Sequence, residues 1–96
     1  MKTYKLQFLE PALKEWEKLD NTVRAQFKRK LAERLDNPRV ESARLSTMPD
    51  CYKIKLAAIG YRMVYQVVDS TVTVIVVSVG KRERSQVYAA AIARLK

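Results

Sequence analysis

Residues 71–79 read TVTVIVVSV, a run that is apolar on both strand faces. Such a run is expected of a strand inside a sheet, because a strand with one wet face alternates instead. The preceding segments supply partners for it. Residues 61–68, YRMVYQVV, read as another strand, joined to the first by a tight turn at Asp69–Ser70. Tyr52, Ile54 and Leu56 alternate with Lys53 and Lys55 after Pro49, and Ala57–Gly60 has the composition of a hairpin turn. Upstream of Pro38 the period is different. Val23, Phe27, Leu31 and Leu35 recur every four residues, the buried face of a helix that Asn21 or Thr22 would cap and that runs to about Asp36. A first helix opens near Pro11, with Ala12, Leu13, Trp16 and Leu19 as its apolar stripe. Tyr4, Leu6 and Phe8 mark a strand near residues 3–9. GKRER reads as a turn, after which Ser85 would cap a C-terminal helix containing Tyr88, Ile92 and Leu95. The expected fold is α+β in the order β-α-α-β-β-β-α, with a mostly antiparallel sheet and two helices on one face.

Ninety-six residues make one domain, residues 1–96, with a modest core. No apolar run approaches the roughly 20 residues of a membrane span, and the N-terminus lacks a signal-peptide pattern. Cys51 is the one cysteine, so an internal disulfide is excluded and a reducing cytoplasm is expected. The charge is uneven. Residues 1–50 carry eleven basic and eight acidic side chains, a net +3; residues 51–96 carry eight and two, a net +6. A basic surface poor in carboxylates attracts phosphate backbones.

Hairpin geometry converts this charge into a pattern. A turn centred on Ala58–Ile59 sets Leu56 opposite Tyr61, Lys55 opposite Arg62 and Lys53 opposite Val64, with the polar side chains on one sheet face. Like charges directly opposite across strands destabilise a sheet, so folding alone does not favour Lys55 against Arg62. Lys81, Arg82 and Arg84 follow the inner strand, and adjacent strand ends would bring Arg82 beside Arg62. Tyr88, one turn into the last helix, would offer an aromatic surface for base stacking. Lys28-Arg29-Lys30 reads as a solvated helix flank, and Trp16 as core. Cys51 has no histidine to activate it.

The absences narrow the chemistry. There is no histidine, which removes the serine and cysteine triads. No carboxylate cluster near the basic segments would hold metal ions, and the two glycines make no phosphate loop. Neither a metal nor another cofactor is expected. Lysine, arginine and tyrosine remain, a set suited to turning the 2′-hydroxyl of RNA against its own phosphate. Crowded cations would depress a lysine pKa towards use as a base, and arginine would stabilise the phosphorane-like transition state.

Three blocks, MPDCYKIKL at 48–56, GYRMVYQV at 60–67 and SVGKRERSQVY at 78–88, resemble the RelE toxins of bacterial toxin–antitoxin modules. PALKEWEKLD at 11–20 and the segment order are similar too. The resemblance implies a ribosome-dependent mRNA endonuclease that cuts the codon exposed in the A site and leaves a 2′,3′-cyclic phosphate and a 5′-hydroxyl. It places catalytic roles on Lys53, Lys55, Arg62, Arg82 and Tyr88. Lys55, with Lys53, serves as or supports the general base; Arg62 stabilises the transition state. Arg82 protonates or stabilises the leaving 5′-oxygen, and Tyr88 orients the codon. Lys81 and Arg84 are expected to bind RNA. The implied partners are a RelB-like antitoxin, the 70S ribosome with its 16S rRNA, and mRNA. Operator DNA would be bound only through the toxin–antitoxin complex, and no membrane is implied.

Two departures stand out. Ser46 occupies a loop position that is arginine in a closely similar toxin, and the hairpin tip Ala57-Ala58-Ile59 is more apolar than its counterpart. Two other readings compete: a toxin of the same fold that inhibits a protein such as gyrase, and a plain RNA-binding module.

Overall fold

A computed structural model describes residues 3–81 and 86–95. Helix α2 spans Asn21–Asp36, and its four-residue repeat buries Val23, Phe27 and Leu31, with Leu35 half-buried. Its N-cap is Asp20 rather than Asn21 or Thr22, and no side chain caps it. Asn21 is instead the first helical residue and accepts a hydrogen bond from the Arg24 guanidinium. Arg24 also donates to the Glu17 carbonyl at 3.1 Å, satisfying one of the open carbonyls at the end of α1, Glu10–Glu17. Ala12 and Trp16 pack inward from α1, but Leu13 is 41% exposed and lies off the stripe expected for it.

The strands are β1 (Lys5–Phe8), β2 (Cys51–Leu56), β3 (Tyr61–Val68) and β4 (Thr73–Lys81). Among the described residues they form one four-stranded sheet in the order β1-β4-β3-β2, with β1 parallel to β4 and the other pairs antiparallel. The valine-rich strand is therefore internal, as its pattern demanded. Helix α3, Gln86–Arg94, completes the order β-α-α-β-β-β-α. Helices α1 and α2 share one core with Ile54, Met63, Tyr65, Val74 and Val76, while Val87 and Ala91 of α3 pack with Met48, Cys51, Val64 and Val77. The two clusters lie on opposite faces of the sheet.

A bulge makes this two-sided burial possible. Val64 pairs with Ser78 but Tyr65 pairs with Val76, so Val77 is an extra residue in β4. Val77 and Ser78 both serve the α3 side: Val77 packs there, and the Ser78 hydroxyl donates to the Val87 carbonyl at 2.7 Å. Val79 then returns to the α1/α2 core. Without the extra residue the alternation would carry Ser78 into that core and Val79 out of it.

The β3–β4 connection differs from the expected two-residue turn. Val68 pairs with Thr73, a short 3₁₀ turn spans Asp69–Thr71, and Val72 takes a left-handed conformation at φ 51°. That conformation is unfavourable for a β-branched residue, and the surroundings hold it: the Val72 amide donates to the Asp69 carbonyl and the Val72 carbonyl accepts from Lys5. Asp69 is itself anchored. It accepts from the Tyr4 hydroxyl at 2.6 Å and from Arg39 at 2.7 Å, while Arg39 also reaches Asp50 and the Tyr52 hydroxyl. The Tyr4 bond first, and Arg39 second, hold the Asp69 carboxyl below its usual range.

Strand β1 ends at Phe8, opposite Val76, and among the described residues the far half of β4 has no strand neighbour on that side. Glu15 of α1 and Arg94 of α3 fill the position. The Arg94 guanidinium grips the Glu15 carboxylate through two bonds, at 2.7 and 3.0 Å, and donates to the Val77 carbonyl at 2.8 Å. The Val79 amide donates to Glu15 at 3.3 Å. One ion pair thus satisfies the free edge and ties together helices from opposite faces.

Glu15→Ala is expected to lower stability in urea denaturation by about 1–3 kcal/mol, because it leaves Arg94 and the Val79 amide short of a partner in a half-buried site. Glu15→Gln retains an acceptor and is expected to lose less. Equal losses for the two variants would show that the edge bonding is not what the carboxylate contributes.

Candidate functional site

The β2–β3 pairing has the register expected from the hairpin. Lys53 lies opposite Val64, Lys55 opposite Arg62 and Leu56 opposite Tyr61. Gly60 closes the turn at φ 70°, a conformation that suits glycine, and its amide donates to the Leu56 carbonyl at 2.9 Å. Because successive strand residues point to opposite faces, Tyr52, Ile54 and Leu56 enter the α1/α2 core while Lys53 and Lys55 take the α3 side. Arg62 joins them there, being out of phase with Tyr61 and Met63 of the core. Lys55 is exposed; Lys53 and Arg62 are half-buried.

Tyr88 completes the group from above the sheet. Its ring lies under the Arg62 guanidinium, with 5.4 Å from the guanidinium carbon to the ring centroid. A guanidinium at this range is attracted by the negative ring face and is held in orientation. On the other side of Arg62 the register partner is Gly80, which places no side chain between Arg62 and α3. A Cβ there would stand 3.6 Å from Val87. Tyr88 is half-buried and Ile92 is exposed, while Val87 and Ala91 face the sheet. The buried contact stripe of α3 is therefore Val87/Ala91, with Tyr88 and Leu95 packed at its margin and Ile92 turned outward. The smaller pair lets the helix approach the strands closely and turns Tyr88 towards Arg62.

The remaining candidates are placed differently. Arg82, Arg84 and the expected cap Ser85 lie outside the described residues. Lys81 ends β4 opposite Tyr61, so the register sets it on the α1/α2 side, across the sheet from Arg62. Ser46 is exposed and lines a hollow of about 470 Å³ with Arg39, Arg44, Asp50 and Tyr52. Among the described residues no group of three or more His, Cys, Asp or Glu side chains is arranged to hold a metal ion.

Arg34 is a supporting residue that sequence reasoning passed over. It donates to the Lys53 carbonyl and to the Tyr65 hydroxyl, each at 3.0 Å, and that hydroxyl donates to the Pro38 carbonyl at 2.6 Å. The backbone of Lys53 is thereby pinned to α2. Burial pushes the Tyr65 phenol up, and the nearby Arg34 opposes it. The available signal was positional: Arg34 follows Leu31 by three residues and Phe27 by seven, so a charge falls on the core-facing stripe.

Residues 6–86 match the family model described as the ParE toxin of the type II toxin–antitoxin system parDE. The chain is 61% identical over 92 residues to the mRNA interferase toxin RelE of Escherichia coli strain K12, covering 96% of this chain and 97% of that protein. A double arginine-to-alanine mutant of E. coli toxin RelE in the free state superposes with a TM-score of 0.90 at 57% identity, covering 98% and 99% of the two chains. RelE in the intact E. coli RelBE toxin–antitoxin complex gives a TM-score of 0.81 at 62% identity, over 84% of this chain and 99% of that one.

Cys51 stands apart from the cationic group's chemistry. It is fully buried, and burial, with a smaller contribution from Asp50, pushes its thiol up to about 11. A reactive cysteine needs the thiolate. Thiol reagents at neutral pH are therefore expected to label Cys51 only when the chain unfolds, with a rate that rises with denaturant. Rapid stoichiometric labelling of the native protein would contradict this placement.

Proposed function

The chain belongs to the RelE family of toxins of type II toxin–antitoxin modules, and from this membership we propose that it is a ribosome-dependent endoribonuclease that cuts mRNA in the A site and so stops translation. The observation that carries the reading is the cationic row of Lys53, Lys55 and Arg62 on one sheet face, with Arg62 held against Tyr88. The arrangement suits a reaction in which the RNA supplies its own nucleophile.

The 2′-oxygen of the nucleotide before the cut attacks the adjacent phosphorus as its proton passes to Lys55, with Lys53 in support. The new O2′–P bond forms and the P–O5′ bond breaks. The 5′-oxygen leaves with a proton, and Arg82 stabilises or protonates it. The products are a 2′,3′-cyclic phosphate and a 5′-hydroxyl. Arg62 meets the charge that builds on the phosphorane-like transition state, where a preorganised cation is most effective. Tyr88 stacks on a codon base. Lys81 and Arg84 contact flanking phosphates, Lys81 from the other side of the sheet end. No step uses a metal ion or another cofactor. The ribosome supplies the positioning that a small cationic set lacks, since holding reactants in line replaces much of the entropic barrier.

The same reading assigns a cytoplasmic location and a RelB-like antitoxin that covers the basic surface, with operator DNA bound through the toxin–antitoxin pair. Among the described residues no helix is long and apolar enough to cross a membrane. The family model's ParE name keeps one competing reading in view, a toxin directed at a protein target such as gyrase. The cationic row and the 61% identity to an mRNA interferase favour RNA.

Cleavage mapped on mRNA-programmed ribosomes tests the proposal. Cuts are expected only in the A-site codon, with cyclic-phosphate ends, and a 2′-deoxy nucleotide before the cut should abolish them. Arg62→Ala is expected to slow single-turnover cleavage by about 100-fold or more. Intact mRNA with ribosome binding retained would sink the reading, and inhibition of gyrase supercoiling would replace it with the protein-directed one.

A further inference from the structure

Lys53 and Lys55 stand on the last strand of the sheet. Among the described residues β2 has β3 as its one strand neighbour, and its alternate carbonyls point outward, away from β3. The Cys51 carbonyl is the first of these and accepts from the Leu45 amide at 2.9 Å. The next outward carbonyl is that of Lys53, and a side chain meets it. Arg34, in the last turn of α2, donates to it through Nη1 at 3.0 Å. The same nitrogen reaches the Tyr65 hydroxyl at 3.0 Å, and the guanidinium carbon lies 5.8 Å from the Tyr65 ring centroid. Tyr65 is a firm anchor. It is fully buried, its ring stacks on Tyr52 with 5.8 Å between centroids, and its hydroxyl donates to the Pro38 carbonyl at 2.6 Å. Arg34 therefore ties Lys53 to a side chain that cannot shift without disturbing a close-packed core.

Stability does not account for an arginine at this place. The side chain is half-buried, and both bonds go to neutral acceptors. Among the described residues no carboxylate pairs with it. Desolvating a cation without an opposite charge is unfavourable, whereas a leucine or methionine would continue the Phe27/Leu31 stripe without that cost. A carbonyl at the margin of a sheet is satisfied nearly as well by water. Water does not hold it to a fixed point; a planar guanidinium braced on Tyr65 does.

We propose that Arg34 is a positioning residue for the cleavage reaction, setting where the Lys53 ammonium reaches by fixing the backbone from which it extends. The proposal rests on the ribonuclease reading and adds to it a residue that touches neither RNA nor the reacting atoms. A lysine carries its charge on a flexible four-carbon stem, so small freedom at the backbone grows towards Nζ. The fully buried Val64 faces Lys53 on the β3 side, and Arg34 holds the opposite side. Misplacing a reacting group by roughly 1 Å costs up to about 100-fold in rate. Lys53 supports the proton transfer that Lys55 carries, so a smaller loss is expected for Arg34.

The test compares cleavage kinetics on programmed ribosomes for wild type, Arg34→Met and Arg34→Lys. Arg34→Met keeps the bulk and removes the donors; kcat should fall about tenfold with KM within about twofold. Arg34→Lys restores one donor and should bring kcat back to within about threefold of wild type. In a Lys53→Ala background the Arg34→Met change should cost less than about twofold, because Arg34 acts through Lys53. Val23→Ala opens a cavity at the other end of α2; it should lower Tm and leave kcat within about twofold. A second measurement does not depend on cleavage. The NMR order parameter of the Lys53 amide should fall in Arg34→Met below the roughly 0.85 of rigid backbone.

An unchanged kcat in Arg34→Met would overturn the proposal. A loss confined to KM would also overturn it and make Arg34 an RNA contact. An undiminished loss in the Lys53→Ala background, or an equal loss in Val23→Ala, would reduce Arg34 to a structural role. A wild-type chain that binds ribosomes without cutting would fail the ribonuclease reading. The order parameter then decides the placement of Lys53 by itself, a lowered value upholding it and an unchanged one overturning it.

Discussion

Burial of β4 on both faces is the constraint to which the other elements answer. A strand that is apolar above and below needs a neighbour on each side and a layer over each face. Here β3 flanks it throughout, β1 flanks its first half, α1 and α2 cover one face, and α3 covers the other. The extra residue Val77 lets β4 serve two cores whose phases differ. Where β1 runs out, backbone groups of Val77 and Val79 would face an apolar layer without partners, an arrangement that buried amides avoid. The Glu15–Arg94 pair answers that need with side chains from both layers.

The cationic face follows from the same packing. Hydrophobic demand on the α1/α2 side takes Tyr52, Ile54, Leu56, Met63 and Tyr65, and strand alternation delivers Lys53, Lys55 and Arg62 to the opposite side. α3 then brings Tyr88 over Arg62 because Val87 and Ala91 are small enough to seat it on the sheet. Arg34 works from beneath, holding the Lys53 backbone through the outer edge of β2. Charge on one face is thus positioned by apolar contacts on the other. The polar hub of Tyr4, Asp69, Arg39, Asp50 and Tyr52 performs a different task, joining the β3–β4 turn to the loop before β2. Its members are largely exposed, where single ion pairs contribute little to stability.

Much of this was legible in the chain. The apolar run 71–79 identified an inner strand, and the Val23/Phe27/Leu31 repeat identified a buried helix. The hairpin composition at 57–60 led to the Lys55–Arg62 register. Errors fell where tertiary contact outweighs local pattern. Spacing puts Leu13 on the buried stripe, but the side chain is exposed in the short α1. Composition suggests a tight turn at Asp69–Ser70, but Asp69 is drawn into contacts with Tyr4 and Arg39 and the reversal places Val72 at positive φ. Arg34 escaped notice because a charge within an apolar repeat looks like an interruption until its acceptors are seen.

The sequence by itself determined element order, the internal place of β4, the pairing of Lys55 with Arg62 and the absence of histidine chemistry. Those depend on side-chain periodicity and residue type, which are local. Only the tertiary structure decided which helix covers which face, that Tyr88 stacks on Arg62, that the free edge of β4 is closed by Glu15 and Arg94, and that Arg34 pins the Lys53 backbone. Each of these joins residues far apart in the chain, and no periodicity encodes such a meeting. It arises when buried surfaces choose their partners.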